Sequence, residues 1–276
     1  MDRRIGLIAG SGQFPFIFAR AARENGYAVY AVAHLNETEQ SLDGYVDAIK
    51  WVRLGQLKKI IKFFTGYGVH QAVMAGAIKK TRIFKDVRPD LKAIGILAGI
   101  KNTHDDRVLR AFAAALEKEG IQIKESTFLL PDLLAREGCW TKRKPTRSEN
   151  EDIRVGWELA KAIGRLDIGQ CVVVAGGSIM AVEAIDGTDA TIKRGGSLAD
   201  GDAVVVKVCK PNQDFRFDVP AIGVRTIEVM AAAGAKVLVV EAGKAVVFDR
   251  DKMIATADKW GISIVARAED EQYHTG

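Results

Sequence analysis

The sequence predicts an α/β protein of two domains. A Rossmann-like N-terminal domain is expected over residues 1–137, a linker at 138–150, and a second α/β domain carrying the catalysis over 151–276. Three observations predict this. The chain opens as strand, glycine loop, helix and strand, the first unit of a doubly wound sheet. At 276 residues it is long for one core and comfortable for two. Between Gly138 and Glu151 the composition turns to CWTKRKPTRSENE, with one proline and little to bury, which marks a boundary.

In the opening unit, Arg4 to Ala9 is a short buried strand ending in Gly10-Ser11-Gly12, Phe16 to Asn25 a periodic helix closed by Gly26, and Tyr27 to Ala33 a second strand. Glycines at such a turn let backbone N–H groups approach a phosphate, and the helix N-terminus adds partial positive charge. The dinucleotide fingerprint is incomplete, because Pro15 stands at its third glycine and Ala33-His34-Leu35 supplies no acid for a ribose. The loop therefore reads as an anion site, with plain tight-turn glycines as the alternative. Ala48 to Leu54 predicts a third strand, Gln56 to Phe64 a helix ended by Gly66 and Gly68, and Val69 to Ala75 a further strand. The following Gly76 to Lys80 lies where open parallel sheets place ligand loops. Thr103-His104-Asp105-Asp106 precedes a helical pattern from Val108 to Lys118; the paired acids read first as first-turn carboxylates and second as metal ligands. His104 is a ligand contact or a surface residue, His34 and His70 packing or turn residues, and His274 part of a tail.

In the second half, Ser148 or Asn150 starts a helix through Ala162. Cys171 to Ala175 forms a strand, Gly176-Gly177 a turn, and Ile179 to Ile185 its hairpin partner. Ala184 to Asp189 turns into a helix capped by Thr188 or Asp189 and closed by Gly195-Gly196. A helix from Thr226 to Gly234, a strand from Lys236 to Glu241, a short strand at Val246 to Phe248, a helix from Asp251 to Trp260 and a strand from Ser263 to Ala266 complete the pattern. No repeat relates the halves.

The stretch Val204 to Thr226, VVVKVCKPNQDFRFDVPAIGVRT, begins as a buried strand and then carries Lys207, Lys210, Gln213, Asp214, Arg216 and Asp218 within a dozen residues. Pro211 and Pro220 restrict the residues before them, so Asp214 to Val219 is expected to run extended. Alternation then places Asp214, Arg216 and Asp218 on one face, suited to a metal-bridged diphosphate. An amphipathic edge strand with solvated charges is the alternative.

Composition bounds the function. With 48% hydrophobic and 27% charged residues the chain is a soluble globular type, and no run is apolar enough to cross a bilayer. MDRRIGLIAGSG reaches glycine too early for a signal peptide, so a cytoplasmic protein is expected. Cys139, Cys171 and Cys209 lack metal-ligand spacing. The net charge of +5 is dispersed without aromatic interleaving, which disfavours nucleic acid and leaves an anionic membrane surface or a polyanionic substrate compatible.

Assembled, these stretches resemble a known family. Ile8 to Pro15, IAGSGQFP, resembles an IAGxGxxP motif; Val182 to Asp189, VEAIDGTD, a VEAIEGTD stretch; and Lys210 to Pro220, KPNQDFRFDVP, the more specific KPxQDxRxDxP signature of the LpxI family, the UDP-2,3-diacylglucosamine pyrophosphatases of lipid A biosynthesis. Lys79-Lys80-Thr81 departs from the arginine-proline ending expected there. The resemblance implies magnesium-dependent hydrolysis of a lipid-linked UDP-sugar to UMP and 2,3-diacylglucosamine 1-phosphate, by a cytoplasmic enzyme in peripheral contact with the inner membrane; a homodimer is compatible with it. It also implies that water attacks the sugar-side phosphorus and that the essential aspartate falls on Asp218. That carboxylate would ligate Mg2+ or orient water, since an ordinary carboxylate is a poor general base. Asp214 is a second candidate metal ligand. Lys207 and Arg216 are assigned to phosphate oxygens, with salt bridges to Asp214 or Asp218 as the alternative. Gly10, Ser11, Gly12, Gln13, Gly76, Thr188, Gln213 and Thr226 are candidate substrate contacts. Two competing readings are a nucleotide-binding oxidoreductase, resting on the opening β-loop-α-β unit, and a noncatalytic carrier of the lipid sugar.

Overall fold

The computed structural model describes residues 3–78, 89–90, 92–94 and 105–268. Residues Met1–Pro131 with Asp214–Asp218 form one compact unit, and Asp132–Gln213 with Val219–Gly276 the other. Lys79-Lys80-Thr81, His104 and His274, and the side chains of Asp105 and Asp106, lie outside the described residues.

In the first unit the apolar run at the N-terminus forms β1 (Arg3–Ala9), followed by α1 (Phe14–Glu24), β2 (Tyr27–His34), β3 (Ala48–Val52), α2 (Leu57–Gly66), β4 (Gln71–Ala75), α3 (Asp105–Glu117) and β5 (Gln122–Lys124). Pro15 sits in the first turn of α1, where a missing N–H costs nothing. The five strands are all parallel in the order β3-β2-β1-β4-β5, as in a doubly wound sheet. One core gathers Ile8, Val32 and Ala72 of the sheet with Leu57, Ile60 and Phe64 of α2 and Ala113 and Leu116 of α3. Burial of the central strand β1 on both faces explains why Ile5 to Ala9 carries no polar side chain.

The second unit holds β6 (Gly138–Cys139), α4 (Arg147–Arg165), β7 (Cys171–Ala175), β8 (Ser178–Val182), α5 (Thr188–Leu198), β9 (Val204–Lys207), β10 (Ala221–Ile222), α6 (Val224–Ala232), β11 (Val237–Glu241), β12 (Val246–Val247), α7 (Arg250–Trp260) and β13 (Ser263–Arg267). Six strands pair in the order β6-β13-β11-β9-β7-β8, with β9, β11 and β13 parallel; β10 and β12 form a separate parallel pair. Strand alternation sorts the core. Val172, Val174, Val204, Val206, Val237 and Val239 meet Ile153, Trp157 and Ala160 of α4, whereas Val173, Val205, Leu238 and Val240 pack with Ile192, Ile227 and Met253. The β7–β8 hairpin turns through Gly176 (φ 56°) and Gly177 (φ 74°), left-handed at both corners as a type I′ turn requires. Asp152 accepts from both turn amides, at 3.1 and 2.6 Å. No helix among the described residues is long and apolar enough to cross a membrane.

Several expectations need correction. The stretch 138–150 is not a linker. β6 pairs antiparallel with β13, Trp140 N–H donates to Ile264 O at 2.9 Å, and Thr141 is buried with its hydroxyl accepting from Ile264 N at 3.0 Å. Hydrogen bonds to a sheet edge order this polar segment, so composition alone misplaces the boundary, which falls at Pro131/Asp132. The N-cap of α4 is Thr146, in a capping box with Glu149, rather than Ser148 or Asn150. The N-cap of α5 is Gly187, with Thr188 the first helical residue. Finally, the second domain does not keep all of its chain. Asp214–Asp218, expected within a C-terminal catalytic domain, belongs to the first unit.

Candidate active site

The carboxyl ends of β1 and β4 meet in the first unit. Gly10 N donates to Ala75 O (2.8 Å), Ser11 N to Ala77 O (2.8 Å) and Ala77 N to Ser11 O (3.1 Å), and the Ser11 hydroxyl also donates to Ala77 O (2.8 Å). A Cβ on Gly10 would lie 2.6 Å from Ala77 O, and one on Gly76 2.6 Å from Ser11 O. Glycine is therefore required at both positions by close backbone approach. Sequence reasoning placed Gly10, Ser11 and Gly76 around a phosphate; the structure brings them together but spends the Gly10 and Ser11 amides on each other's loops. Gly12 (φ 86°) and Gln13 follow at the start of α1, with Gln13 O accepting from Phe16 N and Ile17 N. At the end of β2, His34 Nδ1 and the Thr38 hydroxyl both bond Ala9 O, at 3.0 and 2.7 Å, and burial pushes the His34 pKa down. His34 is thus a packing residue of this end of the sheet, as expected.

The Asp214–Asp218 segment lies at the carboxyl ends of β4 and β5, the side where open α/β sheets bind ligands. It is a turn, not an extended ribbon. Phe217 N and Asp218 N both donate to Asp214 O, at 2.9 and 3.1 Å. The aspartate itself is the cause: Asp214 Oδ1 accepts from Arg216 N (3.2 Å), the side-chain-to-backbone bond that makes Asp a turn former and overrides the two flanking prolines. Ser126, 2% exposed, holds the turn from the loop after β5. Its N–H donates to Phe215 O (3.0 Å), and its hydroxyl lies 2.9 Å from Met74 O and 3.2 Å from Arg216 O. Phe217 packs on the core of the first unit beneath the Arg216 guanidinium.

Electrostatically the turn is a closed network. Arg216 Nε and Nη2 donate to the two oxygens of Asp214, both at 2.9 Å, and its Nη1 donates to Glu117 Oε1 at 3.0 Å. Arg110 Nη1 stands 3.5 Å from Asp214 Oδ2. The Arg216 guanidinium holds the Asp214 pKa below the usual carboxylate range, against the opposing effect of burial, and Asp214 in turn raises that of Arg216. Sequence reasoning missed Glu117, Ser126 and Arg110, which carry no local pattern.

The remaining predicted residues lie in the second unit. Lys207, 9% exposed, ends β9 and donates to Ala221 O at 3.0 Å. Gln213 Oε1 accepts from Lys210 N (3.0 Å) and from the Cys209 thiol (3.1 Å), fixing the KPNQ loop. The Thr188 hydroxyl donates to Glu183 Oε1 (2.8 Å), whose other oxygen accepts from Gln170 N (3.1 Å). Thr226 lies in the first turn of α6, its N–H on Gly223 O. A further buried group was not foreseen: Glu241, 1% exposed, accepts from Lys161 Nζ on both oxygens (2.9 Å each) and from Cys209 N (2.9 Å).

Comparison with known proteins places these residues in a family. A model of the LpxI N-terminal domain matches residues 4–133, and one of the LpxI C-terminal domain residues 136–265. The chain belongs to the LpxI family. It is 35% identical over 275 residues to the UDP-2,3-diacylglucosamine pyrophosphatase LpxI of Caulobacter vibrioides, spanning 95% of this chain and 97% of that protein. Similar solved structures include the biotin carboxylase domain of Hydrogenobacter thermophilus 2-oxoglutarate carboxylase (16% identity, TM-score 0.27, 64% of this chain and 36% of that one). Another is the N5-carboxyaminoimidazole ribonucleotide synthetase of Thermotoga maritima (14%, TM-score 0.25, 67% and 42%). The chain spans less than half of either.

The LpxI signature can be tested against a magnesium ion. Among the described residues, no group of three or more His, Cys, Asp or Glu gathers as a metal cage. Both oxygens of Asp214 are engaged by Arg216, so in this arrangement it is an ion-pair partner and not an open ligand. A half-buried Asp218 ends the turn. A Mg2+ held through this one carboxylate would take its other ligands from water and substrate phosphates, the usual habit of this ion.

Proposed function

We propose that this LpxI-family protein hydrolyses the diphosphate of UDP-2,3-diacylglucosamine to UMP and 2,3-diacylglucosamine 1-phosphate, a step of lipid A biosynthesis. The observation that supports it most is the signature turn Asp214–Asp218, seated at the carboxyl ends of β4 and β5 and ending on Asp218. Water attacks the sugar-side phosphorus, its oxygen enters the lipid 1-phosphate, and the bridging oxygen leaves with UMP. Asp218 orients that water through its carboxylate and would hold Mg2+. When bound, the ion neutralises charge building on the diphosphate. Arg216, tied to Asp214 and Glu117, keeps the turn in place. Gly12 and Gln13, on the loop that Gly10, Ser11 and Gly76 shape, are the candidate substrate contacts of the first unit. The acylated substrate brings the protein to the cytoplasmic face of the inner membrane as a peripheral partner.

The test is incubation of purified protein with UDP-2,3-diacylglucosamine and magnesium in H218O, followed by mass spectrometry of the products. Label in the lipid 1-phosphate is expected. Label in UMP contradicts the site of attack, and uncut substrate held by the protein favours a carrier.

A further inference from the structure

The Asp214–Asp218 turn carries a proposed catalytic carboxylate, yet it is gripped from elements more than eighty residues away in sequence. Ser126 N–H donates to Phe215 O at 3.0 Å, and its hydroxyl proton is shared between Met74 O at 2.9 Å and Arg216 O at 3.2 Å, which ties the turn to the end of β4. Glu117, the last residue of α3, takes the outer nitrogen of Arg216 at 3.0 Å. Arg110, two turns earlier on the same helix, faces the Asp214 carboxylate at 3.5 Å. Asp218 N–H in turn hangs on Asp214 O at 3.1 Å. A displacement of any grip is therefore passed to Asp218 through a single turn of backbone.

We propose that Glu117, Ser126 and Arg110 are positioning residues for Asp218, fixing where its carboxylate points without touching substrate. This rests on the hydrolase reading above. The arrangement goes beyond what fold stability needs. Phe217 packing already anchors the segment to the core, whereas the polar grips act on the three residues that aim the chain end. Misplacement of a reacting group by about 1 Å costs on the order of 100-fold in rate, so loss of one grip is expected to cost about 10- to 100-fold.

The test uses the full-length chain with Ser126→Ala, Glu117→Ala and Glu117→Gln. Ser126→Ala keeps the N–H bond to Phe215 and loses the hydroxyl; Glu117→Gln keeps an acceptor for Arg216 at a partly exposed position. Ser126→Ala and Glu117→Ala should lower kcat at least tenfold with KM within about twofold of the parent. Glu117→Gln should recover most of the Glu117→Ala loss. Unchanged kcat in the two alanine variants, a rise in KM at constant kcat, or a kcat loss that merely tracks the folded fraction overturns the inference. No UMP from the parent protein overturns the hydrolase reading instead, and the inference with it.

Discussion

Replacing Lys161 by methionine should destabilise the second unit more than any surface change. The side chain is 10% exposed, and its ammonium lies 2.9 Å from both oxygens of Glu241, itself 1% exposed. Removing one partner of a buried pair costs about 3–5 kcal/mol, because a charge is left without its counter-ion. Cys209 N and the partly exposed Lys244, 2.6 Å from Glu241 Oε1, remain to satisfy the carboxylate and pull the loss toward about 3 kcal/mol. For a unit of this size that is a fall of about 6–12 °C in Tm. Denaturant unfolding followed by tryptophan fluorescence suits the measurement, since Lys161 Nζ lies 5.7 Å from the Trp157 ring centre. A loss under about 1 kcal/mol would refute the reasoning, as would failure of Lys161→Met with Glu241→Leu to recover most of it.

The Asp214 carboxylate titrates below its ordinary value of 3.8, so the unfolded chain takes up its proton first. Its contribution is present above that ordinary pKa and disappears as pH falls through the lower folded value. Unfolding free energy measured downward from pH 5 should fall less steeply in Asp214→Asn than in the parent, and equal slopes would contradict the ion pair. Gly195→Ala would put a Cβ 2.5 Å from Val173 Cβ. Overpacking of about 1–3 kcal/mol should outweigh the roughly 1 kcal/mol helix-propensity gain, and a rise in Tm would show that α5 can move off the sheet. Burial pushes the Cys171 thiol up to about 12. Native protein at pH 8 should leave it unalkylated by iodoacetamide in peptide mapping, while denatured protein should react there; native labelling would indicate an open second unit.

Much of the fold was legible because its signals are local. The Gly176-Gly177 turn between two apolar runs predicts the β7–β8 hairpin, and the apolar runs at 172–174, 204–206 and 237–239 announce strands covered on both faces. Gly10, Ser11 and Gly76 stand together by close backbone approach, which a glycine motif in sequence does not distinguish from a ligand loop. What was hidden is long-range. Nothing around Ser126 or Glu117 marks them as holding a turn some ninety residues later, and the order of 138–150 comes from bonds to a strand more than a hundred residues away. The flanking prolines suggested extension, but the Asp214 side chain bonding Arg216 N decided for a turn.

The most direct test of Asp218 is turnover of UDP-2,3-diacylglucosamine by Asp218→Asn beside the parent, with thermal unfolding of both. Loss of UMP release by about 100- to 10,000-fold at unchanged Tm is predicted, as for removal of a group that acts on the attacking water. Turnover within tenfold of the parent would contradict the role given to this carboxylate.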